Sequence, residues 1–387
     1  MEKKNIQGTF YQLYNRMKNQ NLKGRYLAFD DIEPELKKLE KEFELEEIGR
    51  SFLNVPIKAV RIGSGPIKVL GWSQMHGNET TTTKGLFDLF NLFSSKEAPP
   101  EIENMLQHFT LLFIPMLNPD GAARYTRENV NKVDLNRDAH EMSEPESQIL
   151  RNCFEDFQPD YCLNLHDQRT IFGAGGSGKP ATLSFLAPSL DEQRSITPER
   201  EKAMKIIAAM NEGLQKVIPG QVGRFDDAFN INCTGDTFQS LKVPTILFEC
   251  GHYQGDYERE KTREHFAFSM LVALENIASG GYENYKVADY EAIPQNDKNF
   301  YDVILRNAEV KGQMIDVAIQ FSEKMKAGEV SFAPVIQTMA PSLSFYGHKE
   351  IDCHGKRILS LSGEELSEND LVQLILLNNE KLSIKTW

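Results

Sequence analysis

Four short apolar runs constrain this chain most, because each stops at a cluster of polar residues. They are Ile67–Trp72, Thr110–Pro115, Tyr161–Leu165 and Pro244–Phe248. Runs of this length are too short for buried helices and suit strands buried on both faces. Between them lie stretches with helical signals. Leu86, Leu89, Phe90 and Phe93 recur at helical spacing in a helix expected from about Glu79 to Phe93. Glu144-Pro145-Glu146 opens another, with proline in the first turn. Pro198–Val217 and Arg259–Ile277 complete the set, and residues 1–60 read as helices and a strand leading into the core. Strands alternating with helices imply an α/β fold, a mixed and mostly parallel sheet with helices on both faces.

The pattern changes after Gly280-Gly-Tyr-Glu-Asn-Tyr285. From about Asn299 the segments are short, β-like and separated by turn residues: Tyr301–Leu305, Met314–Ile319, Ser342–Tyr346, Arg357–Leu361 and Leu371–Leu376. The expected organisation is a larger domain over residues 1–283 and a small β-rich domain over 296–387. A chain of 387 residues is long enough for both.

Net charge is -13, from 43 basic and 56 acidic residues. That balance argues against nucleic acid or an anionic membrane as partner. The first residues are basic in part but no apolar run follows them, so the expectation is a cytoplasmic protein without a secretory signal. Cys153, Cys162, Cys233, Cys250 and Cys353 are odd in number and form no Cys-x-x-Cys pair, which reads as reduced thiols. Oligomeric state leaves no trace in the sequence.

The polar clusters carry the chemistry. His76-Gly-Asn-Glu79 follows the first run, and three residues on a helix bring both side chains to one point. Alone, that pair reads better as a loop histidine and a capping acid. His166 at the end of a second run turns the balance toward a metal, since two histidines and a carboxylate leave zinc one open position for water. Asp134 is either a partner for a ligand histidine's other nitrogen or a turn residue. Glu249 interrupts an apolar strand, where a carboxylate must be paired, hydrated or functional; facing water on a metal, it suits general base and acid work. Asn136 and Arg137 suit a substrate carboxylate, because a guanidinium binds one in bidentate fashion. Arg127 is placed to stabilise an oxyanion, with Arg124 competing for that role.

His76-x-x-Glu79, Asn118-Pro-Asp-Gly121, Asp134-x-Asn-Arg137, His166 at a strand end and Phe248-Glu249 occur here in order. In that order they resemble the zinc carboxypeptidase A-like metallopeptidases, within a wider group that includes succinylglutamate desuccinylase and aspartoacylase-type deacylases. The likeness covers roughly residues 50–275. It implies one zinc per chain on His76, Glu79 and His166, Glu249 as general base and acid, and Arg127 on the oxyanion. It further implies Asn136 with Arg137 on a substrate carboxylate, and Asp134 behind a ligand histidine. The implied activity is hydrolysis of an amide next to a carboxylate-bearing residue of a peptide. The alternatives are a zinc deacylase of N-acyl amino acids and a non-catalytic, zinc-bearing interaction protein. The digestive members carry a tyrosine on a mobile loop before the catalytic Glu. Here Gly223–Gly235 has none. The first sixty residues are short for a pro-domain, so constitutive activity is expected.

Gly173-Ala-Gly-Gly-Ser-Gly178-Lys179-Pro180 nearly matches a phosphate-binding loop. That motif needs Ser or Thr after the lysine and a helix starting there. Pro180 offers no hydroxyl, so a loop beside the metal site is expected instead. His348, Asp352, Cys353 and His354 are weak as a second metal cluster.

Overall fold

The computed structural model describes residues 6–385. The apolar runs become the centre of one eight-stranded sheet. In chain order its strands are β1 (Glu44–Arg50), β2 (Pro56–Ile62), β3 (Ile67–Ser73), β4 (Phe109–Ile114) and β5 (Tyr161–Asp167). A short β6 (Phe172–Ala174) lies outside it. Then come β7 (Leu183–Leu186), β8 (Val222–Arg224) and β9 (Thr245–Cys250). The lateral order is β1-β2-β4-β3-β5-β9-β7-β8. The central β4-β3-β5-β9 strands are parallel, while β1, β2 and β7 join antiparallel. This is the mixed α/β sheet that the sequence pattern implies.

The helices are α1 (Ile6–Met17), α2 (Phe29–Leu39), α3 (Thr81–Phe93), α4 (Pro100–Leu106), α5 (Pro119–Arg124), α6 (Pro145–Phe157), α7 (Pro198–Gln215), α8 (Thr234–Ser240) and α9 (Glu260–Ser279). Strand side chains alternate between faces, and the two cores show it. Val69, Leu111 and Leu163 pack on one face with residues of α3, α7 and α9. Their neighbours Leu70, Leu112 and Cys162 pack on the other with α6 and α8. Buried on both faces, these strands leave only their ends for chemistry. Because β3, β5 and β9 are adjacent and parallel, the clusters that follow them meet at one sheet edge, where open α/β sheets bind ligands.

Beyond a short α10 (Val287–Glu291) the chain is β-rich. β10 (Asn296–Lys298) pairs with β6. β11 (Phe300–Val310), β12 (Gln313–Lys326), β13 (Glu329–Ala340) and β14 (Tyr346–Asp352) form a four-stranded sheet, and β15 (Ile358–Ser360), β16 (Leu374–Leu377) and β17 (Glu380–Ser383) a three-stranded one. Two details differ from expectation. Ser342–Phe345 is irregular, with the strand starting at Tyr346, because the Leu343 and Phe345 carbonyls turn aside to accept from Arg306. Residues 329–340 form a strand that the sequence pattern does not signal. Their alternation is broken by Pro334, yet full pairing with β12 carries them.

This β-rich part meets the larger unit through buried polar contacts. Tyr257 Oη donates to Asp302 at 2.9 Å, and His348 Nε2 donates to the Thr170 carbonyl at 2.7 Å. His348 also stacks on Phe300 and lies 4.2 Å, centroid to centroid, from His252. Burial lowers the His348 pKa to about 4. Below pH 6.5 the unfolded chain takes up a proton that folded His348 refuses, so its stabilising share is present above that pH and lost as pH falls toward 4. The shift corresponds to about 3 kcal/mol. Asp302, raised to about 6 by burial, acts in the opposite sense, losing stability as pH rises from 4 to 6. His348→Gln isolates the histidine: its melting temperature should fall less than that of the wild type between pH 6.5 and 4.5, read by scanning calorimetry.

Candidate active site

The loop after β3 is held by its neighbours. Gln74 adopts a left-handed φ of 49° and its side-chain amide donates to the Leu27 and Gly77 carbonyls. Thr81, Thr82 and Thr83 then start α3 with their hydroxyls engaged on Asp167 and Ser73. The Asn118–Gly121 turn buttresses the loop from the side. Asn118 caps α5 through Gly121 N and donates its amide to the Met75 carbonyl. Gly77 lies against that turn so closely that a Cβ would meet the Gly121 carbonyl carbon at 2.0 Å. Asp120 itself faces away, accepting from Ser51 Oγ and Leu53 N. The Asn-Pro-Asp-Gly cluster is therefore a support for the His76 loop. Gly77→Ala should displace His76 and Glu79 and cost about 1–3 kcal/mol by overpacking. Competitive zinc titration should show weakened binding, and Gly173→Ala, where a Cβ would meet Asn299 and Phe300 rather than the His76 loop, serves as the control.

Three donors converge at the strand ends. His76 Nδ1 lies 2.8 Å from Glu79 Oε1, His166 Nδ1 lies 2.8 Å from Glu79 Oε2, and the two Nδ1 atoms are 3.1 Å apart. They are the one metal-competent cluster of this kind among the described residues. All three residues are buried. Asp134 Oδ1 sits 3.0 Å from His76 Nε2, which makes Nε2 the donor and leaves the Nδ1 lone pair facing Glu79. Two imidazole lone pairs and a carboxylate pointed at one another need a cation or shared protons between them. This donor set therefore fits zinc, whose usual ligands are these atom types. His348 and His354 form no second cluster: the first is buried at Thr170 and the second is exposed.

Glu249 is level with His166 in the parallel β5–β9 register, so both side chains leave the same face. Its Oε2 is sealed from solvent and has no hydrogen-bond partner among the described residues. Burial, then the charges of Glu79 and Asp167, push its carboxyl well above the usual range. Arg127 reaches the donors from α5's far end, with Nη1 3.2 Å from His76 Nδ1 and a two-point ion pair to Asp134. Arg124, its competitor, is exposed and does not line the cavity. Asn136 and Arg137 form a 3-10 turn, Leu135–Arg137, capped by Asp134. Asn136 Oδ1 accepts from Thr234 N, which turns its amide nitrogen outward. Arg137 donates to the Asn136 carbonyl and makes no ion pair among the described residues. His76, Glu79, Arg127, Asn136, Arg137 and Glu249 all line one cavity of about 930 Å³.

Residues 34–149 match the family model for zinc carboxypeptidases. Over that stretch the chain is similar to the zinc carboxypeptidases. The matched stretch includes His76, Glu79, Arg127, Asp134, Asn136 and Arg137; His166 and Glu249 lie beyond it. Carboxypeptidase SOL1 of Arabidopsis thaliana is 26% identical over 36% of this chain and 33% of its own length, so the match spans about a third of that relative. Among solved structures, a metallo-carboxypeptidase from Burkholderia cenocepacia superposes with a TM-score of 0.52 at 15% identity, covering 66% of this chain and 70% of that one. Carboxypeptidase A of Helicoverpa armigera gives 0.51 at 15% identity, covering 73% and 82%. These likenesses show a carboxypeptidase-like fold, to which the C-terminal β-rich part is added.

Several cavity residues left no mark in the sequence reading. Asp167 follows His166 directly, and its Oδ2 accepts from both Thr81 N and Oγ1, tying β5 to the start of α3. Asp236, at the start of α8 near Arg137, is raised to about 6 by burial. Tyr125 and Arg25 line the cavity and meet Glu323 of β12. Tyr253, just past Glu249, packs against His265 outside the cavity and does not replace the missing loop tyrosine. At Gly173–Pro180 no helix begins at the lysine; the segment closes on itself through Ala174 N and the Lys179 carbonyl.

Proposed function

We propose that the zinc carboxypeptidase domain, over residues 1–283, hydrolyses an amide bond next to a carboxylate-bearing residue of a short peptide or peptide-like substrate. The observation that carries this reading is the placement of Glu249 level with His166 across the β5–β9 pair, with Arg137, free of ion pairs among the described residues, lining the same cavity. One zinc per chain on His76, Glu79 and His166 would supply a Lewis acid that polarises the amide carbonyl and acidifies water.

The residues then divide the work. Glu249 takes a proton from the attacking water and delivers it to the amine nitrogen as the C–N bond breaks. Arg127 supports the negative charge that develops on the carbonyl oxygen. Arg137 and the Asn136 amide hold the substrate carboxylate and so set which bond is presented. Asp134 keeps His76 in the tautomer that offers Nδ1. Five free cysteines support a reducing, cytoplasmic setting. Among the described residues no helix is long and apolar enough to cross a membrane. The N-acyl amino acid is the second reading, favoured by the bounded cavity.

A panel of peptides with free and amidated C-termini, with N-acyl amino acids beside them, tests this. Free acids should be cleaved and amides spared. Arg137→Ala should lower kcat/KM on free acids by roughly 10–150-fold, the equivalent of the 1.5–3 kcal/mol carried by a hydrogen bond to a charged group. Equal cleavage of acids and amides by the wild type would overturn the reading.

A further inference from the structure

The cavity is built by two parts of the chain. Asn136, Arg137 and Asp236 line it from the larger unit, and Tyr301, Phe321, Ser322 and Glu323 line it from the C-terminal strands. The distance between the reacting centre and those strands is bounded by the chain itself. Thr170 lies four residues beyond His166, and its hydroxyl and carbonyl accept from Gln320 and His348 at 2.6 and 2.7 Å. Four extended residues span at most about 14 Å. On another side, Tyr125 lies two residues before Arg127 and donates to Glu323 Oε2 at 2.6 Å. Two residues span at most about 7 Å. The C-terminal strands therefore stand within a few residues' length of the metal donors.

The wall is fastened rather than hinged. Glu323 also pairs with buried Arg25 at 3.0 Å, and Arg25 is anchored in turn to the Tyr257 carbonyl. Asp302 accepts from Tyr257 and from Phe321 N, and Gln320 also donates to it. The β6–β10 ladder adds main-chain bonds along the same seam. These contacts tie the C-terminal strands to the larger unit at several points along the seam.

We propose that the C-terminal β unit, residues 296–385, is the end wall of the substrate cavity and confines the enzyme to short substrates, with no more than about four residues on the acyl side of the cleaved bond. This rests on the hydrolase reading above and names its substrate class: short peptides and acylated amino acids rather than protein C-termini. About 930 Å³ is the volume of a pocket for a compact ligand, within the usual range of about 300–1,000 Å³. A long polypeptide has to turn out of the cavity past Tyr301 and Ser322.

The test is a peptide series of two to ten residues that shares one C-terminal dipeptide. It is read as kcat/KM on the zinc-loaded wild type and as Kd on zinc-loaded Glu249→Gln. Both should worsen by at least about tenfold once the acyl side exceeds about four residues. Ser322→Trp, which fills the exposed wall position, should move the break to shorter peptides, and Tyr301→Ala should move it to longer ones. A flat profile in both readouts, with the break absent in all three proteins, overturns the wall. A break in Kd with no turnover of any peptide supports the wall and sinks the hydrolase reading instead.

Discussion

Glu249→Gln is expected to lower kcat on a cleavable amide by about 10²–10⁴-fold, the range that general acid and base groups contribute. Zinc content should be unchanged, because Glu249 is not one of the three converging donors. Stability should stay level or rise. An ionised carboxylate here feels the charges of Glu79 and Asp167, and its Oε2 is closed off from solvent without a hydrogen-bond partner among the described residues. Its raised pKa means that the metal-free fold loses stability as pH climbs above the ordinary carboxylate range, and glutamine removes that loss. A variant that melts higher and turns over slower is the signature of a residue kept for chemistry at the expense of stability. Steady-state kinetics with metal analysis and a thermal melt decide it. Unchanged turnover would make Glu249 a structural acid and end the proposed mechanism.

Removing zinc should be as damaging by a separate route. Chelation is expected to abolish hydrolysis and lower the melting temperature, and stoichiometric zinc should restore both. Ligand occupancy at 100 times its dissociation constant stabilises a fold by about 2.7 kcal/mol. Without the cation, the His76 and His166 Nδ1 atoms, 3.1 Å apart beside Glu79, are left to share protons. His166→Ala should lose activity and the zinc-dependent rise in melting temperature together. Full activity in the chelated protein would contradict the metal reading, and more than one bound zinc per chain would contradict the single site.

Much of this was legible in the chain. The alternation of short apolar runs with helical stretches specifies strands buried on both faces, and each island's position at a run's end places it on the sheet edge. His76 and Glu79 are readable because three residues of local spacing set their approach. His166 and Glu249 are readable because each stands at or near the end of an apolar strand, where a polar side chain must be paired, hydrated or functional. Other parts were opaque for equally physical reasons. Asn118–Gly121 looked like part of the chemistry, but the turn supports the His76 loop through Gly77 and Met75. Asp236, Tyr125 and Arg25 have ordinary local sequence, and only burial and distant partners give them a place in the cavity.

The sequence alone therefore determined the layer architecture, the donor types and their order, since periodicity and local spacing are properties of adjacent residues. The tertiary structure decided which donors meet, which arginine of two faces them, and what closes the far end of the cavity. Those outcomes depend on contacts such as His76 with Asp134, His166 beside Glu249, and Tyr125 with Glu323, which join residues 58, 83 and 198 positions apart. Packing of the whole sheet and its C-terminal wall brings such pairs together, and no local pattern records it.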